Sequence, residues 1–313
     1  MIKIDLITGF LGAGKTTFMI NYAKYLVKQN LKVGIIENDF GAVNVDMMLL
    51  QENVGDCCDL EMISGGSDLQ TYRRRFKTKL IAMKMVGYDR VLIEPSGIFD
   101  VDDFFDLLYE DPLQNWYEIG NVIAIVDASL EENLSKESNF LLASQVANAG
   151  KIIFSRVQDA SKMAISNTVN HINDALKAVS CKRIIDDVII CKNWNDFSDE
   201  DFRVIVDSGY VVTNYQKLHF NQNQTYSSLY FMNVKINIDI LKQQVNKIIS
   251  DPKCGHVFRV KGFIQDQNNN WYQLNATKNE INIQPINQGQ EIIIVIGESL
   301  DQEVIEQYLN NPQ

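Results

Sequence analysis

The chain has 313 residues, 46% hydrophobic and 22% charged, with 29 Lys and Arg against 40 Asp and Glu and a net charge of −11. This excess of acid argues against non-specific binding to nucleic acid or to an anionic membrane, both of which reward positive charge, and no apolar run approaches the ~18 residues of a membrane span. Five cysteines in so long a chain do not make a disulfide framework, and a core of this size needs no metal staple.

The first expected element is a buried strand at 2–7, which leaves no place for a cleavable leader and makes the cytoplasm the expected location. Residues 9–17 follow as Gly-Phe-Leu-Gly-Ala-Gly-Lys-Thr-Thr. Gly9, Gly14, Lys15 and Thr16 satisfy the phosphate-loop pattern G-x-x-x-x-G-K-[ST]. Phe18, Ile20, Ala23, Leu26 and Val27 then recur at helical spacing. Strand, glycine loop and helix therefore come in the order that cradles anionic oxygens. Gly9, Gly12 and Gly14 let the backbone bend and approach closely, and the amides from Ala13 to Thr17 sit where a helix N-terminus favours negative charge. Lys15 can reach the β- and γ-phosphates, and the Thr16 hydroxyl can ligate Mg²⁺.

Further apolar strands are expected at 33–36, 90–93, 121–126, 151–154 and 188–191, with helices at 68–86, 101–110, 137–149 and 160–178. Continuous apolar strands alternating with helices predict an α/β domain with a mostly parallel sheet covered on both faces. The polar run 220–225 reads as a linker. Beyond it, expected strands at 229–234, 257–264, 271–274, 281–283 and 292–296 and helices at 239–249 and 301–309 predict a small α+β unit. The expected division is a nucleotide-binding domain at 1–219, a linker at 220–228 and a C-terminal domain at 229–313.

Three segments can complete the phosphate site. Glu94 ends an apolar strand and precedes Pro95-Ser96-Gly97, so it is placed to hold Mg²⁺, with the Gly97 backbone free to turn to a γ-phosphate. Glu37-Asn38-Asp39-Phe40-Gly41 follows the second strand on the same sheet edge, and either Glu37 or Asp39 is a candidate for the metal or for positioning the attacking water. After the strand at 151–154, Ser155-Arg156-Val157-Gln158 stands where GTP-binding proteins place Asn-Lys-x-Asp. Gln158 can accept from guanine through its amide oxygen but carries no charge, and Arg156 can lay its stem and plane against a base. Cys57-Cys58 has no His near it in sequence and reads more readily as two small thiols in a loop than as a metal site. Arg73-Arg74-Arg75 with Lys77 and Lys79 reads as a basic helix face, open to an acidic partner or to a nucleotide across a dimer.

Thr8-Gly9-Phe10-Leu11-Gly12-Ala13-Gly14-Lys15-Thr16-Thr17, Glu37-Asn38-Asp39-Phe40-Gly41 and Ile93-Glu94-Pro95-Ser96-Gly97 together resemble the CobW-like GTPases, relatives of UreG and HypB. Residues 255–263 and 293–297 are similar to the core of that family's C-terminal domain. The resemblance spans nearly the whole chain. It implies a Mg²⁺-dependent, slow GTPase that binds GTP and GDP and cycles between conformations to handle a metal or metallocofactor, with a client metalloprotein, and a second copy of the chain, as partners. The chain departs from the family where Cys-x-Cys-Cys is usual: it has Ile63-Ser64-Gly65-Gly66-Ser67-Asp68-Leu69, and Ala42 follows Phe40-Gly41 in place of Glu. Carboxylates select harder ions than thiolates do, which leaves Glu37 and Asp68 as the residues for a second metal. The alternative is a nucleotide-gated chaperone or regulator with little catalysis and no thiolate site. A thiolate metal carrier built on Cys57 and Cys58 is a third reading, and a small-molecule kinase is the least supported.

Overall fold

The structure is a computed structural model, and it describes residues 1–39, 45–64, 69–97, 101–218, 225–232, 234, 236–266, 268–287 and 289–310. Its contacts divide the chain into two compact units, Met1–Leu218 and His219–Gln313.

The first unit alternates strand and helix: β1 (Ile2–Gly9), α1 (Lys15–Lys28), β2 (Val33–Asp39), α2 (Val45–Val54), β3 (Asp59–Ser64), α3 (Leu69–Val86), β4 (Arg90–Glu94), α4 (Val101–Leu108), β5 (Tyr117–Asp127), α5 (Lys136–Ala147), β6 (Lys151–Ser155), α6 (Lys162–Ala178), β7 (Ile189–Ile190) and α7 (Asp199–Val206). The seven strands form one sheet in the order β3-β2-β4-β1-β5-β6-β7, and every pairing is parallel. The parallel α/β expectation is met. One consequence governs the site: all seven strands end on the same edge, so residues 9, 39, 94, 127 and 155 arrive there together.

The apolar character of the strands explains the layering. Ile7, Ile35, Leu92, Ile123, Ile125 and Ile153 pack under Phe18, Met19, Tyr22, Ala23 and Leu26 of α1 and Ile205 of α7. Each such buried side chain contributes about 1.5–3 kcal/mol relative to exposure. Within this core lies one charged network. Asp5 accepts from Arg90 Nη1 at 2.6 Å and from the Tyr22 hydroxyl at 2.7 Å, and from the Asn121 amides at 2.9 and 3.1 Å. Burial pushes the Asp5 carboxyl above its ordinary range, and the Arg90 charge opposes that shift. Removing one partner would leave the other charge buried and unpaired.

Three elements were not expected from the pattern. Strand β3 mixes polar and apolar residues at the sheet edge and carries no long apolar run. Helix α2 is a short helix beside it. Helix α7 begins in a capping box, with Ser198 accepting from the Asp201 amide and Asp201 accepting from the Ser198 amide. That signature is legible in Ser198-Asp199-Glu200-Asp201.

The second unit is built from β8 (Tyr226–Met232), α8 (Ile238–Ser250), β9 (His256–Gln265), β10 (Trp271–Ala276), β11 (Ile281–Ile286), β12 (Ile292–Glu298) and α9 (Gln302–Asn310). Its strands pair antiparallel in the order β11-β10-β9-β12-β8. Strand β8 starts at Tyr226, inside the segment expected to be linker, because Tyr226, Ser227 and Ser228 pair with Glu298, Gly297 and Ile296. Leu241, Val245 and Ile248 of α8 and Ile305 and Leu309 of α9 close over Val260, Ile264, Leu274, Ile293 and Val295. Among the described residues no helix is long and apolar enough to cross a membrane.

Candidate nucleotide site

The loop after β1 has the backbone that phosphate binding requires. Gly9, Gly12 and Gly14 adopt φ of 144°, 73° and 98°, and the Ala13 amide donates to the Phe10 carbonyl at 3.2 Å to close the turn. Gly14 caps α1 in a left-handed conformation, and no side chain caps the helix. The N-terminus of α1 follows directly on the loop, an arrangement that favours an anion. Lys15 Nζ donates to the Gly9 carbonyl at 3.0 Å and to that of Phe10 at 3.4 Å. The ammonium therefore lies over the mouth of the loop. Lys15 and Thr16 are buried, whereas Thr17 is exposed.

The Thr16 hydroxyl donates to Glu94 Oε1 at 2.9 Å. These two residues lie 78 apart in sequence, and the parallel sheet brings them together. Glu37 is the register partner of Glu94 on the neighbouring strand, and both are buried. Register partners of parallel strands share a face, so the two glutamates lie on one face at that edge, and the Thr16 hydroxyl meets one of them. Such hard oxygen donors suit Mg²⁺. The backbone of Asp39 ends β2 on the same edge. Phe40, Gly41 and Asp68 lie outside the described residues.

Gly97 meets the loop from the other side. A Cβ there would lie 2.7 Å from the Leu11 amide nitrogen and 2.9 Å from its Cα, so only glycine lets the segment pass so close. Its carbonyl accepts from Gln145 Nε2 of α5 at 3.0 Å.

At the base end, Ser155 is buried and Arg156 stands at φ 52°. Arg156 Nη1 donates to Asp127 Oδ2 at 2.7 Å, and Nη2 donates to the Gly12 carbonyl at 3.0 Å. The guanidinium ties the loop to the end of β5. Gln158 is exposed and donates through Nε2 to Asp159 at 2.9 Å. Its amide oxygen is an acceptor.

Trp194 is a neighbour of the loop that sequence reasoning missed. Its Nε1 donates to the Phe154 carbonyl at 2.9 Å, and its ring packs edge-on to Phe18. A Cβ on Gly14 would lie 3.1 Å from its Cη2. Trp194 follows the two-residue strand β7, and nothing in its local pattern announces a contact 180 residues back. Asp127 was missed likewise, although its place at the end of an apolar strand is the same signal that singled out Glu94.

The thiol pair sits elsewhere. Cys57 and Cys58, with sulfurs 3.9 Å apart, precede Asp59, the first residue of β3, and so lie at the amino-terminal edge of the parallel sheet. Burial and the adjacent Cys57 push the Cys58 thiol up to about 12. Among the described residues no three His, Cys, Asp or Glu side chains gather as a metal-binding group. They offer no built cradle for a transition metal.

A parallel sheet, a glycine loop between β1 and α1, and a threonine–glutamate pair at its mouth define a phosphate-loop nucleotide-binding protein. Residues 3–183 match the family described as CobW/HypB/UreG, nucleotide-binding domain, and residues 234–312 match the cobalamin synthesis protein cobW C-terminal domain. The chain belongs to the CobW/HypB/UreG family. It is 30% identical over 161 residues to the zinc chaperone YeiR of Escherichia coli K12, a match covering 49% of this chain and 46% of the relative. It is 28% identical over 170 residues to the zinc chaperone YjiA of the same organism, covering 51% of each. The zinc-regulated GTPase metalloprotein activator 1 of Dictyostelium discoideum is 27% identical over 158 residues, covering 44% of this chain and 32% of that protein. The chain spans about half the length or less of these curated relatives.

Proposed function

We propose that this protein is a Mg²⁺-dependent hydrolase of a nucleoside triphosphate, GTP by preference, and that the cycle from GTP to GDP and phosphate drives the handling of a metal or metallocofactor in the cytoplasm. The observation that carries the reading is the Thr16–Glu94 hydrogen bond of 2.9 Å at the mouth of the loop. Phosphoryl transfer leaves a protein little covalent work and much positioning and charge neutralisation. The loop amides and Lys15 hold the phosphates. Thr16 and Glu94 would hold Mg²⁺, which when bound neutralises charge on the β- and γ-oxygens. Glu37 or Asp39 orients the attacking water. Gln158 accepts from guanine, and the Arg156 stem supports the base. Relatives named as zinc chaperones support a metal cargo and a client metalloprotein. A second copy of the chain remains part of the proposal, tested by sedimentation with and without nucleotide.

Lys15→Ala is expected to lower kcat at least ~100-fold while circular dichroism stays that of the wild type. Undiminished turnover would overturn the assignment. Calorimetry of Mg-GTP against Mg-ATP tests the base, and a clear preference for ATP would overturn the reading of Ser155, Arg156 and Gln158.

A second reading is favoured by one sequence observation: residues 63–69 contain no cysteine where the family usually has Cys-x-Cys-Cys. It makes the protein a nucleotide-gated chaperone or regulator with little catalysis. Single-turnover kinetics separate the two, since a switch of that kind binds GTP and releases no phosphate.

A further inference from the structure

Gln145 is buried, near the end of α5, yet only half of its amide is used. Its Nε2 donates to the Gly97 carbonyl at 3.0 Å. Its Oε1 is buried without a hydrogen-bond partner among the described residues. Native structures rarely leave such an acceptor orphaned, and each instance calls for a physical reason.

The neighbours supply one. Gly97 closes the segment that begins at Glu94, and its Cα lies against the Leu11 backbone of the phosphate loop. Gln145 bonds the carbonyl of the same residue. Gly97 is therefore held by both the loop and one side chain of α5. A primary amide is two-sided, carrying a donor and an acceptor on one torsion. Turned about that torsion, Gln145 would present its acceptor where its donor now meets Gly97. One side chain can then answer to two arrangements of the segment, which is what a bistable element needs. Gln145 also lies six residues before β6, whose last residue, Ser155, opens the base motif.

We infer that Gln145 is a positioning residue: it latches Gly97 against the phosphate loop and, by exchanging its donor for its acceptor, couples the segment at 94–97 to α5 as the nucleotide changes. The inference rests on the reading that this segment answers to a γ-phosphate.

Two variants test it in the full chain. Gln145→Leu keeps the bulk and removes both polar atoms. Gln145→Glu keeps the shape, and at neutral pH it only accepts. In nucleotide-free protein, hydrogen exchange of the peptide covering 94–97 is expected to run about three- to tenfold faster in Gln145→Leu, the worth of one buried hydrogen bond, with α8 and β9 unchanged. With Mg-GTP, kcat is expected to fall about tenfold in both variants while KM stays within about twofold, because positioning is lost and phosphate binding is not. Gln145→Glu is expected to recover turnover relative to wild type as pH falls, because a protonated carboxyl regains the donor. A residue that merely filled space would show none of that recovery. Unchanged exchange at 94–97 in Gln145→Leu, or a Gln145→Glu profile parallel to wild type, overturns the inference. If the wild type hydrolyses no nucleotide, the proposed function fails, and the exchange measurement still decides whether Gln145 latches Gly97.

Discussion

At the scale of single residues, the site depends on atoms that are missing as much as on those present. Gly14 combines φ 98° with a Trp194 ring carbon 3.1 Å from where its Cβ would be. Alanine there meets both a left-handed backbone and an aromatic wall that is itself hydrogen-bonded to Phe154. Gly14→Ala is expected to weaken nucleotide binding at least ~fivefold and to alter Trp194 fluorescence; the strain in a left-handed non-glycine residue, ~1 kcal/mol or more, sets the floor. Calorimetry and emission spectra check it, and wild-type affinity would count against the loop geometry. Arg156 was read from sequence as a support for the base. The structure adds that its guanidinium joins Gly12 to Asp127, a role invisible without the fold because its partners come from two other strand ends.

At the scale of elements, α7 shows how local chemistry starts a helix that tertiary packing then holds. Ser198 and Asp201 form the capping box, and Lys192 binds the Asp201 carboxylate at 2.7 Å. The Lys192 ammonium, then the Ser198 hydroxyl and amide, hold the Asp201 carboxyl down to about 2. A carboxyl lowered in the folded state contributes stability that is full above its ordinary value near 3.8 and is lost as pH falls towards 2. Ser198→Ala is expected to cost ~1 kcal/mol at neutral pH by denaturant unfolding and to raise the Asp201 titration seen by carboxyl NMR. An unshifted titration would place the effect with Lys192 and the Ser198 amide, which the variant keeps. Ile205 of the same helix packs into the core beside α1, so loss of the cap is felt at the helix that carries Lys15 and Thr16.

At the scale of the molecule, two compact units with separate cores predict separate responses to ligand. All the residues assigned to nucleotide lie in the first unit. Mg-GTP at ~100 times its dissociation constant should add ~2.7 kcal/mol to the stability of whatever binds it. Hydrogen exchange is expected to slow in β1, α1 and β4 and to stay unchanged in β10 and β11. Equal protection of both units would show that they unfold together. Much of this architecture was legible in the chain. Isoleucine- and valine-rich runs announced β1, β4, β5 and β6, because strands covered on both faces need apolar residues at every position. Edge strand β3 and the small helix α2 carried no such run and escaped notice. The phosphate loop was legible because its chemistry is local: the glycines, Lys15 and Thr16 act within nine residues of one another. Gln145 and Trp194 were not, because each acts on a partner far away in sequence.

By itself, then, the sequence determined the loop that holds phosphates, the alternation that makes a parallel sheet, and the absence of cysteines from residues 63–69. Those properties depend on which residues are neighbours along the chain. Only the tertiary structure decided that Thr16 meets Glu94, that Glu37 stands beside it, that Arg156 ties Gly12 to Asp127, and that Gln145 holds Gly97. Parallel strands bring distant residues to one edge, and the order in which those strands pair is settled by long-range packing, which no local pattern records.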